Sequence, residues 1–313
     1  MQPGSAPRHD AKDNTGPDPV AESHVWFDGS LIPSADAGLH VLTHSLHMGG
    51  AVFEGIRAYD GQLFLGEEHF HRLERSAGIL GYTLPWPPED LIAGAEAVLW
   101  ASGLRDAYIR PLAWRGSESV SVAAQGCRIH TAIAAWDWPV DSALGQGTDG
   151  LRLVLSDWRR PAPDTAPTAS KCSGLYMTGT LSRAAAARSG HDDALMLDLQ
   201  GNVAETTVTN IVLVRDGILF SPTPTCFLDS LTKRHVFALA MRLGLTVCDS
   251  TITLNDLDRA EEVFVTGTSV EVRPVISLDR PGHRSEWPVG PVTRALTEAF
   301  RASTRPGVHA EGR

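Results

Sequence analysis

One lysine stands among small side chains near the middle of the chain. Residues 167–179 have the sequence PTASKCSGLYMTG, in which Lys171 is the only charged residue and Tyr176 follows five positions later. Lysines usually lie on solvated surfaces. An amine becomes a good nucleophile when a poorly solvated site or a neighbouring cation lowers its pKa. The small neighbours of Lys171 leave room for a bulky group bonded to its nitrogen.

A Schiff base with a planar cofactor satisfies both conditions. Pyridoxal phosphate makes the most of a lysine imine, because its ring acts as an electron sink. The cofactor needs an acid at its ring nitrogen, a donor at its phenolate oxygen, and amides with a cation at its phosphate. Glu205 interrupts the neutral, strand-like run GNVAETTVTNIVLV, and Tyr176 lies one to two turns from Lys171 if that segment is helical. These two residues are the predicted partners of the ring nitrogen and the phenolate.

Two further segments offer groups for a phosphate. A helix predicted to begin at Leu231 and Thr232 has free N–H groups and the positive end of its dipole there. In FVTGTSVEV, Gly267 and Thr268 form a second turn able to offer amides and a hydroxyl.

Other motifs with chemical meaning lack their required context. Gly145, Gly147 and Gly150 spell GxGxxG, but the strand-like LRLVLSDW follows where a dinucleotide site needs a helix. Ser230 and Lys233 match SxxK, without the SDN and KTG motifs that accompany it in acyl-transfer enzymes. Histidines cluster without HExxH-like framing, so no metal site is expected. They are His40, His44, His47, His69 and His71.

Composition excludes several classes of partner. The chain has 313 residues and a formal net charge of −10, with no run of basic residues, so a nucleic-acid partner is not expected. No apolar run approaches the roughly 18 residues of a membrane span. The four cysteines form no CxxC pair and no signal peptide precedes them, which predicts free thiols and a cytoplasmic protein.

Local patterns predict an α+β fold. Asp-Gly pairs in VWFDGSLI, IRAYDGQLFL and NIVLVRDGILF predict three tight hairpins. Apolar spacing predicts helices over 67–80, 89–102 and 231–243, the last capped by Asp229 or Ser230. Strict βαβ alternation is absent, which favours α+β over a parallel α/β sheet.

Composition also divides the chain. Residues 1–23 and 303–313 are predicted to be mobile tails. The Gly-rich segment 140–150 is the predicted linker between a smaller domain, 24–139, and a larger one, 151–302.

Six blocks of sequence resemble the branched-chain amino acid aminotransferases, which are class IV, fold-type IV pyridoxal-phosphate enzymes. The resemblance spans about Val25 to Phe300. In order, the blocks are LHVLTHSLHMGGAVFEGIRAYDG, HFHRLERS, AYIRPL, PTASKCSGLYM, DDALMLDLQGNVAETTVTNIV and EVFVTGTSVEVRPV. The resemblance implies two domains with the site between them, in a homodimer whose second subunit helps to close the pocket.

The same resemblance implies a role for individual residues. Lys171 is the cofactor lysine and proton carrier, Tyr176 contacts the phenolate, and Glu205 the ring nitrogen. The implied phosphate ligands are Arg72, Leu231, Thr232 and Thr268, with Gly267 in the same turn. The implied substrate contacts are Phe53, Tyr108, Arg110, Trp138, Ser269 and the position of Met48.

Several positions depart from the family pattern. Met48 stands where the family usually has Tyr, and Asp141 aligns near Trp138 with a position that is often Tyr. Asp229-Ser230 replaces a Pro-Gly pair, and Lys233 replaces an Arg. These changes affect the substrate walls more than the cofactor ligands. They predict weaker use of glutamate and a preference for neutral, bulky side chains.

The predicted function is therefore transfer of an amino group between an L-amino acid and a 2-oxo acid. Two alternatives remain at this stage. One is another reaction on the same fold: a D-amino acid or amine transaminase, or a lyase such as aminodeoxychorismate lyase. The other is a non-catalytic cofactor-binding scaffold, against which the joint presence of Lys171 and Glu205 argues.

Overall fold

The computed structural model describes residues 23–138 and 150–305. Within these ranges the chain forms seven α-helices and sixteen strands. The helices are α1 (His44–Met48), α2 (Gly66–Ile79), α3 (Pro88–Ser102), α4 (Met177–Arg188), α5 (Leu231–Arg242), α6 (Leu254–Asp258) and α7 (Pro291–Thr304). The strands are β1 (His24–Phe27), β2 (Ser30–Pro33), β3 (Val52–Phe53), β4 (Ile56–Tyr59), β5 (Gln62–Leu63), β6 (Ala107–Arg115), β7 (Ile129–Asp137), β8 (Leu151–Arg159), β9 (Asp193–Leu197), β10 (Val203–Thr206), β11 (Asn210–Arg215), β12 (Ile218–Pro222), β13 (Thr246–Ser250), β14 (Glu262–Gly267), β15 (Glu271–Arg280) and β16 (His283–Glu286).

The three predicted Asp-Gly hairpins are confirmed. They join β1 to β2, β4 to β5 and β11 to β12, each pair antiparallel. Asp28, Asp60 and Asp216 have φ of 46°, 50° and 53°, and the glycine after each also has positive φ. Asp and Gly tolerate this left-handed backbone, which explains why the sequence placed these turns correctly.

The first sheet lies in the N-terminal half. Its strand order is β2-β1-β7-β6-β4-β5, with β3 paired to β6. Helices α2 and α3 pack together and bury apolar residues beside the sheet, including Phe70, Leu73, Leu91 and Val98. The amphipathic pattern that predicted both helices is therefore the pattern that buries them.

The second sheet lies in the C-terminal half. Its order is β10-β9-β8-β15-β14-β11-β12-β13, with β16 paired to β15. Three neighbouring pairs are parallel, β8 with β9, β15 with β8, and β12 with β13, and the rest are antiparallel. Helices α5 and α7 pack on this sheet through Val236, Leu296 and Phe300. Mixed pairing with helices in both halves confirms the α+β prediction.

Several sequence predictions fall at or beyond the described ranges. The segment 1–22, most of the linker 140–150 including Asp141, and residues 306–313 lie outside them. Strand β8 begins directly after Gly150, as expected from LRLVLSDW. Helix α7 continues to Thr304, so Ser303 and Thr304 belong to a helix and not to a terminal tail.

Candidate active site

A cavity of about 470 Å³ opens between the two halves of the molecule. It brings together most of the residues singled out in the sequence: Phe53, Arg72, Tyr108, Arg110, Trp138, Lys171, Tyr176, Glu205, Gly267, Thr268 and Ser269. Three others, Met48, Leu231 and Thr232, do not line it.

Lys171 is held from both sides of its backbone. Its amide donates to Ser76 Oγ on α2 (3.1 Å), and its carbonyl accepts from the Phe53 amide (3.1 Å). Its Nζ lies 2.6 Å from the phenolic oxygen of Tyr176 and 5.0 Å from the centre of the Phe53 ring. Residues 173–176 form a 3₁₀ turn, which carries Tyr176 back beside the lysine. The predicted proximity of amine and phenol is therefore present, through a tighter turn than the α-helix expected from sequence.

Glu205 occupies the strand side of the cavity. The register of β10 against β9 shifts between Val203 and Glu205, and such bulges re-aim side chains beside active sites. One carboxylate oxygen lies 2.8 Å from Arg160 Nη2, and the other accepts from Asn210 Nδ2 at 3.1 Å. Arg160 Nη2 also donates to the carbonyls of Thr206 and Thr207. The carboxylate is thus fixed by two residues that the sequence did not flag.

The environment of Glu205 also sets its proton affinity. Burial raises the pKa of the Glu205 carboxyl, although the charges of Arg160 and Lys171 and the Asn210 hydrogen bond oppose that rise. A carboxylate with raised proton affinity is suited to sharing a proton with a ring nitrogen.

Arg72 on α2 is joined to a buried acid. Its Nε and Nη2 donate to the two oxygens of Glu54 at 2.7 and 2.8 Å, and His69 Nδ1 lies 2.7 Å from the same carboxylate. No hydrogen bond from Arg72 Nη1 occurs among the described residues. Glu54 therefore orients a guanidinium that lines the cavity, and one of its nitrogens remains available to an anion. By contrast, Arg75 is exposed.

Protonation states in this cluster follow from its burial. Although burial alone would raise it, the Arg72 and His69 groups hold the pKa of Glu54 well below its usual range. Burial lowers the pKa of His69 despite the neighbouring carboxylate. Arg72 loses solvation, but Glu54 raises the pKa of its guanidinium. At neutral pH the cluster is a carboxylate, a guanidinium and a neutral imidazole that donates from Nδ1.

The start of α5 differs in detail from the sequence prediction. Ser230 caps the helix by accepting from the Lys233 amide at 3.3 Å, and Ser230 itself lines the cavity. Leu231 and Thr232 are buried in the first turn, where their backbone amides are candidates for phosphate. Lys233 is fully buried, with Nζ 2.9 Å from Asp229 and 3.1 Å from Asp249. Its ammonium therefore pairs with these two aspartates. It is not available to an anion in the cavity, nor to Ser230 as the lysine of an SxxK motif.

The opposite wall is aromatic and carries one guanidinium. Tyr108 and Arg110 are two residues apart on β6, so their side chains lie on the same face of the strand. The guanidinium carbon of Arg110 lies 5.0, 5.4 and 5.7 Å from the ring centres of Phe53, Tyr108 and Trp136. Arg110 Nε is buried without a hydrogen-bond partner among the described residues. An apolar wall with an uncommitted cation suits a substrate that has both a carboxylate and an apolar side chain.

Aromatic packing fixes this wall. Trp136 pairs with Tyr108 across β6 and β7, with ring centres 5.1 Å apart and an interplanar angle of 25°. The Trp138 ring centre lies 5.2 Å from that of Tyr108. A Cβ on Gly55 would fall 1.9 Å from the Tyr108 hydroxyl, so Tyr108 requires glycine there. Trp136 was not among the predicted site residues, although two-residue alternation places it on the same strand face as Trp138.

Met48, predicted on a pocket wall, does not line the cavity of its own chain. It ends α1 with 45% of its surface exposed, away from the cavity of its own chain. Within one chain, Met48 therefore does not contact the site.

The donor set of the cavity fits pyridoxal phosphate. It combines one amine beside a phenol, an acid fixed on a strand, and a guanidinium with an available N–H. The amides of Thr268 and Ser269 make no hydrogen bond within residues 23–138 and 150–305, so this turn can still bind an anion. Among these same residues no cluster of His, Cys, Asp and Glu has the arrangement of a metal site, and no helix is long and apolar enough to cross a membrane.

Comparison with known proteins decides the family. Residues 51–278 match the family described as amino-transferase class IV. The chain is a class IV aminotransferase. The aminotransferase is 37% identical over 282 residues to a probable branched-chain-amino-acid aminotransferase of Rickettsia conorii, covering 90% of this chain and 96% of that one.

Solved structures agree with this assignment. A branched-chain aminotransferase from Thermoproteus uzoniensis, solved with norvaline, has a TM-score of 0.85 and 32% identity, covering 90% of this chain and 94% of that chain. The T.th. branched-chain amino acid aminotransferase with pyridoxamine 5'-phosphate has a TM-score of 0.84 and 34% identity, covering 92% and 96%. The predicted fold-type IV architecture and the pyridoxal-phosphate cofactor are confirmed, and the chain is a pyridoxal-phosphate-dependent enzyme.

Proposed function

We propose that this aminotransferase moves an amino group between a branched-chain or other bulky, neutral L-amino acid and a 2-oxo acid. The observation that carries the proposal is the Arg110 guanidinium among the rings of Phe53, Tyr108 and Trp136. The rings favour apolar side chains, and the cation favours a carboxylate. The names of its relatives, which are branched-chain aminotransferases, support the same substrate class.

Each predicted cofactor residue has a consistent place in this proposal. Pyridoxal phosphate supplies an aldehyde that bonds amines and a ring that withdraws electrons. Lys171 Nζ would be the amine that bonds it, and the Tyr176 hydroxyl would donate to its phenolate oxygen. Glu205 would hold a proton at the ring nitrogen. Arg72, the α5 amides at Leu231 and Thr232, and the hydroxyl of Thr268 beside Gly267 would bind the phosphate.

Proton movement falls to Lys171. With the cofactor and substrate bound, the Lys171 amine would be the base that takes up and returns the proton of the substrate Cα. The Tyr176 hydroxyl, 2.6 Å away, positions that nitrogen. Arg160 and Asn210 act through Glu205, because their contacts fix the orientation of its carboxylate.

A homodimer belongs to the same proposal. An exposed apolar patch follows the loop and helix around α1 and continues in the 116–128 loop, where His44 Nε2 contacts the Ser121 carbonyl at 3.0 Å. Its residues are Leu39, Val41, Leu42, Leu46, Met48, Val120 and Val122, which are 45–84% exposed. Contiguous apolar surface of this kind marks an interface. A second copy covering the patch would bring Met48 to the neighbouring cavity.

A cytoplasmic location, consistent with four free cysteines, is part of the proposal.

The domain division is also a proposal. One sheet in each half of the chain and a cavity between the halves support a smaller domain of 24–139 and a larger one of 151–302.

The test is a set of half-reactions. Purified holoenzyme is mixed separately with L-leucine, D-leucine, a simple amine and L-glutamate, while cofactor absorbance is followed. L-Leucine is expected to convert the yellow cofactor to the pyridoxamine form and release its 2-oxo acid. Conversion only by D-leucine or the amine would contradict the L-amino acid assignment. Turnover of aminodeoxychorismate without such conversion would indicate a lyase, and no change with any amine would indicate a scaffold.

A further inference from the structure

A strained acidic residue ends the turn that faces the cavity. Strands β14 and β15 pair at Gly267 and Glu271, so Thr268, Ser269 and Val270 form a three-residue turn closed by the Val270 amide on the Gly267 carbonyl at 3.1 Å. Glu271 follows in the left-handed region, with φ of 59°. Glycine or asparagine normally occupies such a position, because a longer side chain is strained there. Some other interaction must hold a glutamate in this conformation.

Side chains from two other parts of the chain contact the Glu271 carboxylate and hold it. Glu271 Oε1 accepts from Tyr59 Oη on β4 at 3.0 Å and from Arg305 Nη2, just after α7, at 3.1 Å. Arg57 Nη1, also on β4, lies 3.9 Å from the same oxygen. The guanidinium carbons of Arg57 and Arg305 lie 4.8 and 4.6 Å from the centre of the Tyr59 ring.

The same set reaches the substrate wall. Arg57 Nη2 donates to the Trp138 carbonyl at 3.2 Å, and Trp138 packs on Tyr108. Neither Arg57, Tyr59, Glu271 nor Arg305 lines the cavity. The four residues therefore tie the 268–270 turn to the opposite wall from outside the site.

We propose that Glu271 is a positioning residue, held in place by Arg305 and Arg57. In this position, the Thr268 and Ser269 amides face a bound anion across from Trp138. The inference rests on the proposed function, because the anion is the carboxylate of the amino or 2-oxo acid substrate. The cofactor phosphate is the other anion at this turn, and the experiment distinguishes the two.

Arg305 offers a test that avoids the cavity. In Arg305→Ala, Glu271 keeps Tyr59 and Arg57 as partners, so the protein is expected to fold. We expect KM for L-leucine and its 2-oxo acid partner to rise roughly five- to tenfold with kcat within about twofold, because a small displacement of an anchoring turn weakens binding. Arg305→Lys should restore part of the loss. The control is Arg301→Ala, which removes an exposed arginine one turn earlier and should leave KM unchanged.

A double-mutant cycle shows whether Arg305 acts through Glu271. Glu271→Gln should raise KM in the same way, and adding Arg305→Ala to it should cause little further change, because the two residues form one contact. Additive effects would contradict the proposal. So would unchanged KM in Arg305→Ala, or a fall in kcat and thermal stability without a KM change.

The cofactor dissociation constant is measured on the same variants. A rise in that constant with KM unchanged would mean that the Thr268 and Ser269 amides hold the phosphate, and would overturn the substrate assignment. If wild-type enzyme does not transaminate, the proposed function fails first. The cofactor dissociation constant of Arg305→Ala can then still be compared with that of Arg301→Ala.

Discussion

Glu54 and Arg72 form a bidentate ion pair beneath the cavity, with nitrogen–oxygen distances of 2.7 and 2.8 Å. The pair determines how Arg72 can be tested. Alanine at position 72 would leave the Glu54 charge buried and unpaired, which typically costs about 3–5 kcal/mol of stability. A substitution that keeps the charge is therefore the more informative one.

Arg72→Lys is expected to weaken cofactor binding by at least about tenfold, because an ammonium cannot bind Glu54 with two nitrogens and also reach a phosphate. Activity at saturating cofactor should fall much less. Cofactor affinity is measured by titration of the apoenzyme. The matched control, Arg75→Lys, changes an exposed arginine on the same helix and should bind the cofactor normally. Equal affinities in both variants would remove Arg72 from the phosphate site.

Glu205→Gln is expected to retain the yellow cofactor and to lower kcat by at least about a hundredfold, because a neutral amide cannot stabilise a protonated ring nitrogen. Glu205→Asp, which keeps the acid but shortens its reach, should lie between that variant and wild type. Single-turnover spectra with L-leucine measure the step directly. Near-normal turnover by Glu205→Gln would mean that another acid performs this role.

Acid should destabilise the folded protein partly through His69. Burial lowers the pKa of His69 from its usual 6.5, so the unfolded chain takes up this proton first. The stability from neutral His69 is present above about pH 6.5 and is lost as the pH falls. In urea unfolding, the free energy of unfolding of His69→Gln should depend less on pH between 7 and 5. One proton contributes at most about 1.4 kcal/mol per pH unit. A slope equal to wild type would show that His69 is already charged in the fold.

Met48→Tyr places the tyrosine that is usual in the family at the proposed dimer contact. A hydroxyl supplied from the second subunit should raise kcat/KM for L-glutamate relative to L-leucine by about tenfold, the typical value of one hydrogen bond to a charged group. Leu46→Tyr, at another exposed position of α1, is the control and should leave kcat/KM for both substrates unchanged. A wild type that already prefers L-glutamate strongly, with no gain in Met48→Tyr, would contradict the predicted substrate preference.

Local sequence chemistry predicted much of the fold. The Asp-Gly turns at Asp28, Asp60 and Asp216 appear where expected, because their backbone geometry depends on adjacent residues alone. The predicted 67–80 and 89–102 helices are observed at Gly66–Ile79 and Pro88–Ser102. The motif blocks likewise named most of the cavity wall.

Long-range contacts account for what the sequence did not predict. Nothing adjacent to Lys233 shows that Asp249, sixteen residues later, takes its ammonium. Arg160, just after β8, and Asn210, at the start of β11, acquire their roles only when the fold brings them to Glu205 on β10. Met48 is exposed on its own chain, so its predicted place on a pocket wall needs the second copy proposed above.

Replacement of Lys171 shows whether this lysine bonds the cofactor. Its Nζ, 2.6 Å from Tyr176 Oη, is the amine that we assign to that bond. Lys171→Ala and the exposed-helix control Arg75→Ala are each incubated with pyridoxal phosphate, treated with borohydride and examined by mass spectrometry and absorbance. We expect Lys171→Ala to fold normally and to carry no covalently fixed cofactor, while the control carries one per chain. A reduced cofactor adduct with an unchanged absorbance band in Lys171→Ala would show that another amine bonds the cofactor.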